Sequence, residues 1–455
     1  MQDDHHRGSR VSRRKVLKGG ASAAGFAALG SALPIAAPAI AQAGYDWKRF
    51  KGQHLEVSLT LGPRAELWQK YEKEFEELTG ISVGSEKVPE QQHRQKVAIE
   101  FASGTTSFDV VTMSYHVQKL LYGRGKWLVD LRDVIKDTKL TNPDFDMPDF
   151  AKGAIDYATQ ADGRLDTIPI NLDYWILYYN KELFEQKKVS YPKSFDEMVA
   201  AAKALTDPAN NVAGFLSRGL KNANVPVWTS FVLGNGVDPI DRDLTMHTDG
   251  PEAIAAAKLY QTLNKDYGPP GVQGFNWNEC QTAFVLGKGA MWLDGIGFAL
   301  PLEDPSKSRI VGKVGYGVMP PGPKAQRSAL FGDGVGISKS SKKQEAAWLY
   351  IQWATSKEMN VRHLEGLYGA PPRASAYETV KKSGKLTGPK AEWLDAMIGS
   401  IKIARAGLPE IVAVTEFRDT FGIALTNMIG GADPADELKK ATEAFKPVLA
   451  KTQAG

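Results

Sequence analysis

Polar and apolar positions alternate along "HLEVSLTL" (residues 54–61), and the stretch that follows changes period. In "RAELWQKYEKEFEELTG", Leu67, Trp68, Tyr71, Phe75 and Leu78 recur at three- and four-residue spacing, which predicts an amphipathic helix closed by Gly80. "ISVGSEKV" reads as a second strand, "HRQKVAIEFASG" as a second helix and "FDVVTM" as a short buried strand. This βαβαβ order predicts a parallel sheet with helices on its faces. Further on, Ser194 with Glu197 and Ser341 with Gln344 have capping-box spacing, and Pro251 suits a first helical turn. Residues 310–338 turn to short strands punctuated by Gly and Pro.

One run breaks the pattern from inside. "IPINLDYWILYYNKELF" (residues 168–184) alternates as a strand, with Ile170, Leu172, Tyr174, Ile176 and Tyr178 on one face. Asn171, Asp173, Trp175, Leu177 and Tyr179 take the other, so an amide, a carboxylate and an indole stand side by side. "AMWLDGIGF" repeats the device: Met291 and Leu293 share one face, Trp292 and Asp294 the other.

Composition narrows the class. The chain has 56 Lys+Arg and 52 Asp+Glu; the first 43 residues hold six basic and two acidic, which leaves 50 of each beyond them. A neutral body gives no footprint for a nucleic-acid partner. Those 43 residues carry Arg13–Arg14, a Gly/Ala-rich apolar stretch and small residues at Ala41 and Ala43. They resemble a twin-arginine export signal cleaved after Ala43, with Val16 where the pattern usually has Phe. Cys280 is the lone cysteine and cannot form an internal disulfide. About 410 remaining residues exceed what one core supports, so two domains are expected.

No H-E-x-x-H or G-x-x-x-x-G-K-[ST] occurs. "GDGVGIS" is spaced G-x-G-x-G, with no helix beginning at its third glycine, and gives no dinucleotide loop. His54, His93, His116, His247 and His363 lie far apart, and no pair has metal-ligand spacing. No metal or cofactor is expected.

The segments "FEELTGISV", "ASGTTSFDVV", "IPINLDYWILYYNKELF", "FVLGKGAMWLDG", "VGYGVMPPGP", "SKSSKKQEAAWLYIQWATSKE" and "GAPPRASAY" follow one another in that order. Through them, nearly all of residues 54–450 resembles the family 1 extracellular solute-binding proteins, the sugar-capturing subunits of bacterial ABC importers, which include maltose-binding protein. Phe108 replaces the family's proline, and Asp166–Thr167 its usual Tyr-Gly. The resemblance implies an α/β, two-lobed periplasmic-binding-protein fold (type II), each lobe a mainly parallel sheet flanked by helices. Residues 44–171 and 333–372 would form one lobe, and 172–332 and 373–455 the other. A sugar or polyol would sit in the cleft, the lobes would close by a hinge, and a monomer would deliver it to an inner-membrane permease.

A polyol offers hydroxyls and apolar C–H faces, so its site needs carboxylate acceptors, amide, guanidinium or indole donors, and flat aromatic rings. Asn171, Asp173 and Trp175 supply all three, and the position matching Asp173 carries a sugar-binding carboxylate in maltose-binding protein. The alternative for Asp173 is a buried ion pair or turn cap near a hinge, and for Trp175 plain core. Asp294, Trp292 and Trp277 (beside Asn278 and Glu279) are expected from the second lobe. From the first come Arg64 in "LGPRA", Gln92 and His93 in "EQQHR", and Tyr115 and His116 in "TMSYHV", all after strand ends. Asp333, Tyr368 and Arg373 lie at chain crossings, where an arginine can equally be a structural ion pair. A polyamine or iron binder on the same fold, and an exported glycan-acting enzyme using Asp173 and Asp294, stay open as alternatives.

Overall fold

The computed structural model describes residues 45–453, so the export signal read at residues 1–43 lies outside the described residues. The first elements form where periodicity changes: strand β1 (His54–Thr60), helix α1 (Pro63–Thr79), β2 (Ser82–Val88), α2 (Glu90–Ser103), β3 (Val110–Ser114) and α3 (Tyr115–Gly125). Pro63 opens α1 at a position where its missing N–H costs nothing, and Gly80 ends it at φ 70°, the left-handed conformation glycine adopts without strain. Ser194 caps the helix Phe195–Leu205, its side chain accepting from the Glu197 N–H. The second expected capping box is not formed. Ser341 Oγ instead donates to the Asp109 carboxylate at 2.7 Å, and Lys343 stands at the cap of the helix Gln344–Ala354.

One eight-stranded sheet runs β2-β1-β3-β7-β4-β5, with β4 (Ile168–Asn180), β5 (Met291–Gly295) and β7 (Ser328–Ile337). Strand β6 (Val314–Val318) joins β4, and β8 (Ala404–Ala406) joins β7. The mainly parallel pairing expected in both lobes holds for β1 with β2 and β3, for the short β7–β8 pair, and for single parallel bridges of Ala213 to Gly289 and Leu216 to Trp292 beside β5. The long β4 is antiparallel to β5, β6 and β7, and β7 is antiparallel to β3. Strand β5 comes back to β4 only after the helices between Lys181 and Val285, and β7 follows β6 through a short helix-free link; each of β5, β6 and β7 runs opposite to β4.

Three apolar cores lie along this sheet. The first gathers Leu55, Val57, Trp68, Phe75, Val111, Ile168, Ile170, Val335 and Trp348. Beyond residue 171 the two faces of β4 feed separate cores, as a period of two requires. Leu172, Tyr174, Ile176 and Tyr178 join Phe284, Trp292 and Trp393, while Trp175 and Leu177 join Trp228, Phe231 and Phe421. Strand β4 thus belongs to every core, and its polar residues Asn171 and Asp173 stand where the cores meet.

Candidate ligand-binding site

A cavity of about 90 Å³ opens at this meeting point. One wall is the C-terminal edge of the first strands: Thr60 to Arg64 after β1, Glu90 after β2, and Ser114 and His116 at the end of β3. Open α/β sheets hold ligands at this edge because helices begin there. None of Gly62, Pro89 or Ser114, the caps of α1, α2 and α3, gives its helix a side-chain hydrogen bond. The other walls carry Asp173 and Trp175 of β4, Phe331 and Asp333 of β7, and Arg218, Trp277, Phe298 and Arg418.

The charges are nearly balanced and mostly paired. Arg64 meets Asp333 at 2.5 Å, and Arg94 holds Glu90. Arg218 grips buried Asp294 through two hydrogen bonds, at 2.5 and 3.0 Å. Burial works against ionised Glu90, but Arg94, Arg418 and Arg218 outweigh it and hold its pKa at about 2. Two groups are left without a partner of opposite charge. Arg418 donates Nε to the Asn222 carbonyl at 3.1 Å, yet its buried Nη1 has no acceptor; burial, then the Arg94 charge, lower its pKa to about 9. Asp173 accepts one hydrogen bond, from the Gly297 N–H at 3.2 Å. Burial, reinforced by Asp294 and Asp333 and only partly offset by Arg64, raises its pKa to about 7.

Aromatic rings complete the surface. Trp277 stacks on Phe298 with centroids 4.9 Å apart and planes 12° from parallel. The Arg218 guanidinium lies over Trp175, 5.2 Å from the ring centroid. His116 packs edge-on against Phe331; burial and the Arg94 and Arg418 charges push its pKa well below the ordinary value, so it is neutral. Close approach at β5 makes room for Asp173: a Cβ on Gly295 would lie 2.1 Å from the carboxylate.

Of the residues expected from sequence, Asp173, Trp175, Trp277, His116, Arg64 and Asp333 line this cavity. The others do not reach it. Asn171 is fully buried and accepts the Ala370 N–H at 3.1 Å, after a register shift in β4 between Pro169 and Asn171. Trp292 pairs with Tyr178 across β4–β5 and stacks on it at 4.8 Å, so register places it in the core on the face away from Trp175. Asp294 stands behind Arg218 and touches the cavity only through it. Tyr115 is buried with its hydroxyl 3.0 Å from Thr167 Oγ1, and Tyr368 belongs to the first core. Arg373 is fully buried, donating to the carbonyls of Phe145, Asp146 and Thr355 and to Asp149, with Phe150 3.9 Å beneath it. It ties residues 145–149 and Thr355 to the start of the helix Ala374–Ser383. His93 is buried against Thr60, 3.1 Å from Nδ1 to Oγ1.

Glu90, Arg218, Arg418, Phe298 and Phe331 are cavity residues that sequence reading missed. Arg418 carried a signal. In the helix Val414–Ile429 it occupies the apolar stripe of Val414, Phe417 and Phe421, at the i+4 place. Glu90 sits two residues before Gln92, in a segment already singled out. Arg218 gave no such mark.

A solvent-linked cavity where separate cores meet, walled by alternating carboxylates, guanidiniums and aromatic plates, defines a small-solute binding protein of two-lobed α/β architecture. The model of the bacterial extracellular solute-binding protein family matches residues 61–361, and the chain belongs to that family. It is 28% identical over 418 residues to an erythritol/L-threitol-binding protein of Mycolicibacterium smegmatis, covering 87% of this chain and 86% of that one. A mannitol-binding protein of Pseudomonas aeruginosa is 26% identical over 319 residues, 68% of this chain and 71% of that one. The crystal structure of an ABC transporter solute-binding protein from Agrobacterium radiobacter in complex with ribitol superposes with a TM-score of 0.80 at 25% identity, over 88% of this chain and 99% of that one.

Proposed function

We propose that this protein captures an open-chain sugar alcohol in the cavity and delivers it, unchanged, to an ABC permease at the inner membrane. The observation that carries the reading is the pair left without counter-charges: Asp173 as acceptor and Arg418 as donor, beside the Trp277–Phe298 plates. A neutral ligand with a hydroxyl on every carbon answers both without bringing a charge of its own. The relatives that bind erythritol, threitol and mannitol, and the fold-mate holding ribitol, support the same class. Hydrolysis of a glycan by Asp173 and Asp294 is disfavoured, since Arg218 holds Asp294 behind the wall.

In this reading, residues 44–171 with 333–372 form one lobe and 172–332 with 373–455 the other, and the cavity lies between them. The twin-arginine segment sends the chain to the periplasm, with cleavage after Ala43. The test is thermal denaturation of protein beginning at residue 44 against sugar alcohols, sugars, amino acids and polyamines. A ligand at a hundred times its dissociation constant should add about 2.7 kcal/mol. We expect the shift with alditols; stabilisation by polyamines or metals alone would sink the reading.

A further inference from the structure

Behind the main cavity lies a second, much smaller one of about 10 Å³, room for about one water. The two share Thr60, Arg64 and Asp333. The Arg64–Asp333 ion pair therefore stands as a partition, joining the first turn of α1 to the middle of β7. Its placement is fixed from the protein side. Gly332 and Gly334 flank Asp333, and a Cβ on either would lie within 2.7 Å of the rings or hydroxyl of Tyr157 and Tyr115. These aromatic groups pack against the bare backbone of β7 and hold the strand in place. The glycines of "GDGVG" thus serve close packing around one aspartate.

We propose that the Arg64–Asp333 pair is a chain-length stop, setting the longest alditol the cleft accepts. The proposal rests on the sugar-alcohol reading. A terminal hydroxyl meeting the pair finds guanidinium N–H donors and carboxylate acceptors. Beyond it the walls are Leu59, Ala65, Trp68, Met113 and Ile170. The polar groups there, Thr60 and Thr112, are engaged with each other, and Thr60 also with His93. One more carbon would bring a hydroxyl into an apolar chamber that offers it no free partner, and leaving such a group unpaired is costly. The stop is both steric and chemical.

The experiment is calorimetric titration of a tetritol, a pentitol and a hexitol into wild type and the Arg64→Ala/Asp333→Ala double variant. Removing both partners leaves neither member of the pair orphaned and joins the two cavities. The ratio of hexitol to tetritol affinity should rise about tenfold or more in the double variant, whatever happens to affinity as a whole. Asp333→Asn, which keeps the volume and loosens the pair, should move the ratio the same way by less, and serves if the double variant does not fold. Equal weakening at every length, with the wild-type ranking kept, would overturn the stop and leave the sugar-alcohol reading standing. Wild type that binds no alditol would overturn both.

Discussion

Asp173 is the residue at which charge, hydrogen bonding and pH meet. Hydrogen bonds to a charged acceptor contribute about 1.5–3 kcal/mol, so Asp173→Ala should weaken alditol binding about 10- to 150-fold in a titration, with the fold intact. Asp173→Asn keeps one acceptor and should fall between. The pH dependence has a definite sign. From the ordinary 3.8 to about 7, the folded chain keeps a proton on Asp173 that the unfolded chain has released. Stability of the ligand-free protein therefore falls through this group as pH rises across that window. The melting temperature of Asp173→Asn, compared with wild type, should gain on it between those limits and then level off. Wild-type affinity should rise as the carboxylate ionises near 7, while the Asn variant stays flat; parallel curves would remove Asp173 from the ligand. Asp294 behaves differently. Fully buried against Arg218, it leaves an uncompensated guanidinium when cut back, and Asp294→Ala should lower ligand-free stability by about 3–5 kcal/mol in chemical denaturation. These residues differed in legibility. Asp173 was readable because a carboxylate interrupted an apolar strand, whereas Arg218 and Asp294, 76 positions apart, meet only through folding.

At the level of elements, alternation along β4 was plain in the sequence because each face packs into its own core. The face taken by Trp292 was not, since it depends on which residue of β4 it pairs with, and pairing is a long-range property. Parallel pairing was over-extended for the same reason: βαβ order speaks for β1 to β3 and says nothing of strands that return to β4. Local signals were stronger at the helix Trp277–Val285, where Glu279 accepts from the Asn276 N–H at 2.8 Å and fixes the first turn. That turn holds Trp277 flat on Phe298 at the cavity wall. An aromatic plate contributes about 0.5–1.5 kcal/mol, so Trp277→Ala should weaken binding about 2- to 12-fold. Trp175 and Trp277 both line the cavity, and ligand should change the intrinsic fluorescence of wild type more than that of the variant. An unchanged dissociation constant would make Trp277 a support for Phe298 alone.

For the whole molecule, the proposed lobes share β4 and β7, are tied again where Arg373 and Ser375 bond residues 145–149 and Lys385 meets Glu365, and also touch along α3. Lys119 of α3 reaches Glu410 at 3.1 Å, and Arg124 of the same helix donates to the Thr452 carbonyl at 2.7 Å. The Lys119–Glu410 pair is partly exposed and contributes at most about 1 kcal/mol, too little to hold the cleft shut. A ligand can close it only by binding the closed state better than the open one. In the proposed reading, Glu90 from one side and Arg418 from the other would supply that difference: both face the cavity, no ion pair joins them directly, and a polyol could bond both at once. Small-angle scattering should then show a smaller radius of gyration with saturating alditol than without. Lys119→Ala should leave the ligand-bound radius unchanged, because the ligand bridges the lobes in its place. Arg418→Ala should bind weakly and, at matched saturation, close less completely. An Arg418→Ala protein that contracts as fully as wild type would assign closure to other contacts, and a wild type whose radius ignores ligand would mean a cleft already shut before binding.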